Sequence, residues 1–325
     1  MVHIFDKDQI KSVLNKSEII DTMETGFKLY STGKVTVPPV GHMPLEKSHA
    51  DVHIKYGYIQ DSPYYVIKVA SGFYDNPKIG LSSSNGLMLV FSQKTGELIA
   101  ILLDEGFLTD VRTGAAGAVA AKYLAPKNIS RIGIIGTGIQ AHMQLKWLAT
   151  VTDCRKVTVW GRTAARCTDF AESAIYDGFR LKTTDTITDV TETCNLIVTA
   201  TAATEPILTA DMIRPGTHIT AVGADTYGKQ ELDPKIFKKA DIVVGDSIRQ
   251  VTDHGDISYA IKARLIDAAD IRELGNIITH AELRRQNDEQ ITVADLTGVA
   301  VQDIQIATMV CDALLHKKSS LKIEI

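Results

Sequence analysis

Cysteine is scarce and unpatterned. The four in the chain, Cys154, Cys167, Cys194 and Cys311, show no C-x-x-C spacing, which argues against a zinc ribbon or a disulfide framework and predicts reduced, packed thiols with no metal bound. No stretch of about 18 uninterrupted apolar residues occurs, so no membrane-spanning helix is expected. The first residues, Met1 to Asp8, place acids where a signal peptide would be basic and then apolar. A dense Lys/Arg tract is also missing, and a net charge of −4 with a pI near 6.1 leaves no electrostatic footprint for nucleic acid or a membrane surface. Internal repeats and low-complexity tracts are absent too. Together these absences predict a cytoplasmic globular protein.

What is present suits an enzyme of one large or two medium domains: 325 residues, 45% hydrophobic and 23% charged. Helical spacing over residues 8–31, interrupted near Asn15 to Ser17, predicts two short helices. Residues 35–45, with Pro38-Pro39, read as extended. Two hairpins follow, residues 51–56 with 64–70 and residues 87–92 with 98–103, so strands meet as neighbours in the first third. A small-residue-rich helix is predicted over 109–124, and Pro126 marks a domain boundary. Beyond it strands are predicted at 131–135, 156–160, 195–200, 218–222 and 241–245, separated by helices or loops, the pattern of a doubly wound parallel sheet. An apolar helix over 299–315 is expected to return to the first domain.

The chain is organised around Ile132-Gly133-Ile134-Ile135-Gly136-Thr137-Gly138-Ile139-Gln140-Ala141. A buried strand meets two glycines one residue apart, and a helix follows. In such a turn one glycine permits the reversal, the next lets backbone amides approach a pyrophosphate, and the helix dipole favours the anion. Ala141 stands where a third small residue gives close helix–strand packing. The cofactor-binding candidates are therefore Gly136, Thr137, Gly138, Ile139 and Gln140, with Thr113 added from the preceding helix.

The second strand of this domain ends in Gly161-Arg162-Thr163. An NAD-specific site would place an acid there for the ribose hydroxyls, whereas Arg162 and Thr163, reinforced by Arg166, suit a 2′-phosphate and favour NADP(H), with NAD(H) the alternative. In the first domain Lys68 sits among Tyr, Val, Ile and Ala, as an edge residue or as a functional cation. Arg112, at the start of an Ala/Gly-rich helix, could grip a carboxylate in a bidentate fork. Asp225 follows an apolar strand of the parallel sheet, where the loops at carboxyl ends form the ligand crevice, and reads equally as a turn residue.

Val66-Ile67-Lys68-Val69, the segment from Leu108 to Ala116, the glycine turn with Gln140, Ala221 to Asp225, and Gly228-Lys229-Gln230-Glu231-Leu232 together resemble the ornithine cyclodeaminase/mu-crystallin family over nearly the whole chain. The resemblance implies an α/β fold: a Rossmann-type doubly wound nucleotide-binding domain over 126–298, and an α+β substrate and dimerisation domain from 1–125 with 299–325. It also implies a homodimer with the active site in the cleft against the nucleotide domain. On matching positions Lys68 and Arg112 would bind or polarise the substrate, Ser83 would offer a hydroxyl, and Asp225 would be the acid/base; Thr297 joins the substrate-binding candidates. The family commonly carries an Arg after the proline-rich segment, but this chain reads Pro38-Pro39-Val40-Gly41-His42. His53 and Lys55, two apart on one strand, are the expected sources of replacement positive charge.

The activity so implied is NAD(P)H-dependent reduction of an amino-acid imine or ketimine, or its reverse. Ornithine cyclodeamination with recycled NAD is the alternative. A non-catalytic crystallin-like binding protein is a second alternative, against which the presence of both Lys68 and Asp225 argues.

Overall fold

In the computed structural model, which describes residues 2–174, 178–317 and 321–323, the alternating segments of the first third become β1 (Val2–Asp6), β2 (Val35–Thr36), β3 (Gly41–Leu45), β4 (Ala50–Ile59), β5 (Tyr64–Phe73), β6 (Ser84–Ser92) and β7 (Leu98–Leu103). They lie in the order β1-β7-β6-β5-β4-β2, with β3 also on β4 and the strand Leu321–Ile323 beside β1. Pairing is antiparallel except between β1 and β7. Strand β5 is thus interior, and its register on β4 sets Lys68 opposite Lys55.

Strand residues alternate faces. On β4, Asp51, His53 and Lys55 share one face and Ile54, Tyr56 and Tyr58 the other. The helix Ala300–Lys317 packs across β4 and β5 and against the helix Lys16–Ser31. Asn15 produces the expected break before that last helix: its side chain accepts from Ser17 N at 3.0 Å and Glu18 N at 3.5 Å, the capping geometry that starts a new helix.

The chain divides into two compact units, Met1–Arg112 with Val299–Ile325, and Thr113–Gly298. The division thus runs inside the helix Phe107–Leu124, whose residues from Thr113 onward pack with the second unit. The reason is the small-residue face of that helix. A β-carbon at Gly114 would collide with Trp147, and one at Gly117 with Gln144. Gln144 Nε2 also donates to the Thr113 carbonyl at 2.9 Å.

The second unit holds β8 (Ile132–Ile135), β9 (Lys156–Trp160), β10 (Arg180–Thr184), β11 (Leu196–Thr199), β12 (His218–Ala221), β13 (Ile242–Gly245), β14 (Ile271–Glu273) and β15 (Thr292–Asp295). The order is β10-β9-β8-β11-β12-β15-β13-β14, with every neighbouring pair parallel. Its two faces carry separate cores. Ile132, Ile134, Val157 and Val198 belong to one, and Ile135, Ile197, Ile219 and Val243 to the other. Strand order reverses between β8 and β11, which places the ligand crevice of such a sheet at their carboxyl ends.

Candidate functional site

Lys68 is only 2% exposed, and on an interior strand it cannot be the solvated edge residue that its sequence context allowed. Its Nζ donates to Asp303 Oδ1 at 3.0 Å. Arg112, 5% exposed, donates to the same oxygen through Nε at 3.1 Å and to Gln302 Oε1 through Nη1 at 2.9 Å. Asp104 fixes the start of the Arg112 helix, its Oδ2 accepting from Leu108 N at 2.8 Å. Burial drives the Lys68 ammonium down to about 7; Asp303 opposes the shift, while Arg112 and Lys55 add to it. Conversely Arg112, Lys68 and Lys55 outweigh the burial of Asp303 and hold its carboxyl below the usual range. Asp303 Oδ2 and Gln302 Nε2 are buried with no hydrogen-bond partner. A buried acceptor and donor of this kind cost free energy unless a ligand completes them.

Lys55 is buried beside this cluster, whereas His53 turns to a different neighbourhood, its Nε2 3.4 Å from Asp51 Oδ2. Ser83 is half-buried in the segment before β6, and its carbonyl accepts from Phe73 N at 2.8 Å. Sequence reasoning passed over Asp303 and Gln302. The signal was there: two polar residues in Val299-Ala300-Val301-Gln302-Asp303-Ile304, at the start of a helix whose other buried residues are apolar.

In the second unit Gly136 ends β8 with φ +120°, and a β-carbon there would collide with the Ala200 carbonyl at the end of β11. Gly138 caps the helix Ile139–Leu148 in extended conformation, and a β-carbon on it would meet nothing within 4 Å. A tight reversal, an open space over Gly138 and a ten-residue helix pointing its N-terminus there fit a dinucleotide pyrophosphate. Thr137, Ile139 and Gln140 belong to this turn. Arg162, Thr163 and Arg166 are all exposed just past β9. Thr113 is half-buried at the start of this unit.

Asp225, in the loop after β12, accepts from Lys229 Nζ at 2.7 Å. Buried Glu231 ties that loop in place, accepting from Thr199 Oγ1 at 2.8 Å, Thr201 N at 2.7 Å and Gly223 N at 2.8 Å. Asp256 Oδ1 in turn accepts from Glu231 N at 2.8 Å and Leu232 N at 2.9 Å. Thr297 is buried, its hydroxyl donated to Asp246 at 3.0 Å. All four cysteines are free. Among the described residues no helix is long and apolar enough to cross a membrane.

A parallel doubly wound sheet with a glycine turn at its switch point, carried with a mainly antiparallel unit holding a buried Lys–Arg–Asp cluster, defines a two-domain α/β protein of the nucleotide-binding kind. The chain belongs to the ornithine cyclodeaminase/mu-crystallin family, which it matches over residues 2–318. An uncharacterised cyclodeaminase of Sinorhizobium fredii is 41% identical over 278 residues, 85% of this chain and 84% of that protein. The solved Thermococcus litoralis Δ1-pyrroline-2-carboxylate reductase, in complex with NADH and L-proline, superposes with a TM-score of 0.92 at 31% identity over 99% of this chain and 100% of that one. An archaeal alanine dehydrogenase dimer with bound NAD gives 0.89 at 34% identity over 99% of each chain.

Proposed function

We infer that the protein is an NAD(P)-dependent oxidoreductase that interconverts an imino acid, cyclic or acyclic, with the corresponding amino acid. The observation that carries this reading is the pairing of two buried cations, Lys68 and Arg112, on one oxygen of Asp303, with Lys55 beside them. The cluster holds more positive than negative charge and keeps a buried donor and acceptor unfilled, on Gln302 and Asp303. It therefore suits a molecule that brings a carboxylate together with an N–H. The Arg otherwise expected near Gly41-His42 is replaced in this role by Lys55.

When bound, the reduced nicotinamide supplies a hydride to the imine carbon. Arg112 and Lys55 hold the carboxylate, and Asp303 fixes Lys68. The Lys68 ammonium, poised near neutrality, gives its proton to the imine nitrogen and regains one from solvent. Asp225, held by Lys229, serves as the second acid/base group, and Ser83 and Thr297 complete the substrate-side set as a hydroxyl contact and a loop anchor. Gly136 to Gln140 and Thr113 hold the cofactor. Arg162, Thr163 and Arg166 select NADP(H) over NAD(H) by charge-assisted bonds to a 2′-phosphate. The enzyme is cytoplasmic and homodimeric, and the outward residues of β4, Ile54, Tyr56 and Tyr58, each 37–38% exposed, supply the apolar face that a second copy covers.

The test is incubation of the purified protein with NADPH or NADH and pyrroline-2-carboxylate, piperideine-2-carboxylate, iminosuccinate precursors, or pyruvate with ammonia. Loss of reduced cofactor absorbance with at least one of them is expected. The Sinorhizobium fredii relative is called an uncharacterised cyclodeaminase, which supports cyclodeamination as a second reading, with ornithine the substrate expected from the sequence. Catalytic ammonia release from ornithine with no net change in reduced cofactor would establish it in place of the first.

A further inference from the structure

The face of the first-unit sheet that carries Lys55 also holds, farther along β4, a less buried group of titratable side chains. The β3–β4 register sets His42 directly opposite His53, and Asp51 lies two residues before His53 on the same face. The two imidazoles stack with centroids 4.8 Å apart and planes 17° from parallel. His53 Nε2 lies 3.4 Å from Asp51 Oδ2, and one ligand-type atom from each of the three residues falls within 4.8 Å of the others. We propose that His42, Asp51 and His53 form a binding site for a divalent transition-metal ion of the zinc class.

Zinc takes nitrogen and oxygen ligands at about 2.0–2.2 Å, which in a tetrahedral site separates neighbouring ligands by about 3.4 Å. The His53–Asp51 pair already has that spacing. His42 is the exposed member, on a short strand paired to β4, with a ring nitrogen within 4.8 Å of the ligand-type atoms of the other two. Tyr74 donates to Asp51 Oδ2 at 3.0 Å, the kind of outer hydrogen bond that orients a ligating carboxylate. Two imidazoles and one carboxylate favour zinc, cobalt, nickel or copper over calcium or magnesium, which prefer oxygen. Three protein ligands leave one position for water or an added molecule. Nothing in the inferred hydride-transfer chemistry uses this cluster, so the proposal stands or falls apart from it.

The experiment is a titration of the chelator-treated full-length protein, with Zn²⁺ followed by calorimetry and Co²⁺ followed by visible absorption. The expected result is one equivalent per chain, with Zn²⁺ affinity reduced at least tenfold in both His42→Ala and Asp51→Asn while circular dichroism and Tm stay as in the parent. Either of two results overturns the proposal. One is the absence of stoichiometric binding in the parent. The other is equal binding in both variants, and an intense thiolate-to-cobalt band would then place the ion on a cysteine such as Cys154.

Discussion

Lys68 and Arg112 meet on a single atom: Asp303 Oδ1 accepts from Lys68 Nζ at 3.0 Å and from Arg112 Nε at 3.1 Å. Asp303 is therefore the group that raises the proton affinity of Lys68 against burial and two neighbouring cations. If the Lys68 ammonium delivers the proton, kcat/KM for imine reduction falls as pH rises through about 7. In Asp303→Asn the raising influence is gone and the inflection moves to lower pH. In Lys68→Arg, whose guanidinium does not titrate in this range, the inflection disappears and the rate drops by about 10²-fold or more. A pH–rate series on the three proteins decides it.

Arg112 spans Asp303 and Gln302 with two nitrogens of one planar fork. A lysine offers one rotatable nitrogen where the guanidinium holds two in a fixed plane. Loss of one charge-assisted hydrogen bond from Arg112 to the substrate carboxylate, about 1.5–3 kcal/mol, predicts that Arg112→Lys raises the substrate KM by roughly 10- to 100-fold. Steady-state kinetics at saturating cofactor measures this.

The two glycines of the β8 turn should fail in different ways. Alanine at Gly136 meets the Ala200 carbonyl and a φ of +120°, so Tm falls and dinucleotide binding with it. Alanine at Gly138 has a permitted φ of −83° and no neighbour within 4 Å. Tm should stay unchanged while the methyl group fills the space meant for the pyrophosphate, weakening binding about tenfold or more. Thermal melts and fluorescence titration with NADPH separate the two cases.

Replacing Arg162 and Arg166 together by alanine removes two exposed cations past β9. NADPH affinity should drop by about tenfold or more with little change for NADH, because only NADPH offers a 2′-phosphate to them. Equal losses for both cofactors would assign the arginines to the adenine or to solvent.

Stability should depend on pH through the acids behind the Asp225 loop. Burial, with Glu231 nearby, pushes the Asp256 carboxyl up to about 8, and burial with Asp256 pushes Asp295 well up too. Between about pH 4 and 8 the folded chain then holds protons that the unfolded chain has released, so stability falls as pH rises through that window. Asp256→Asn keeps the acceptor used by the Glu231 and Leu232 amides and removes the titration. Its Tm should decline less steeply than the parent's over the same range.

Much of this was legible in the sequence, for identifiable reasons. Strands β8, β9, β11, β12 and β13 are near-continuous apolar segments because both sheet faces are covered. Strand β10, Arg180-Leu181-Lys182-Thr183-Thr184, lies at a sheet edge and is polar, β14 is three residues long, and β15, Thr292-Val293-Ala294-Asp295, is bounded by polar residues at both ends; none of them offers a periodic pattern. β1 was lost because its five residues lead straight into a helix capped by its last residue, Asp6. At the site, Lys68 and Arg112 stood out as charges in apolar settings. Their roles were legible only as far as single residues, because what defines them is Asp303, 235 and 191 positions downstream. Pro126 punctuates local conformation, and it carries no signal of what Gly114 and Gly117 pack against, Trp147 and Gln144 of the second unit.

That separation along the chain has a consequence for how the enzyme comes into being. Asp303 leaves the ribosome 235 residues after Lys68, an interval of about 10 to 50 seconds at common synthesis rates. Throughout that time the strands around Lys68 lack the helix Ala300–Lys317 that covers them, while residues 113–298 are made in one uninterrupted stretch. The nucleotide-binding unit can thus be finished first, and the ion cluster is assembled last. A nascent chain stalled before Asp303 would carry a complete glycine turn, and Lys68 and Arg112 without the carboxylate that joins them.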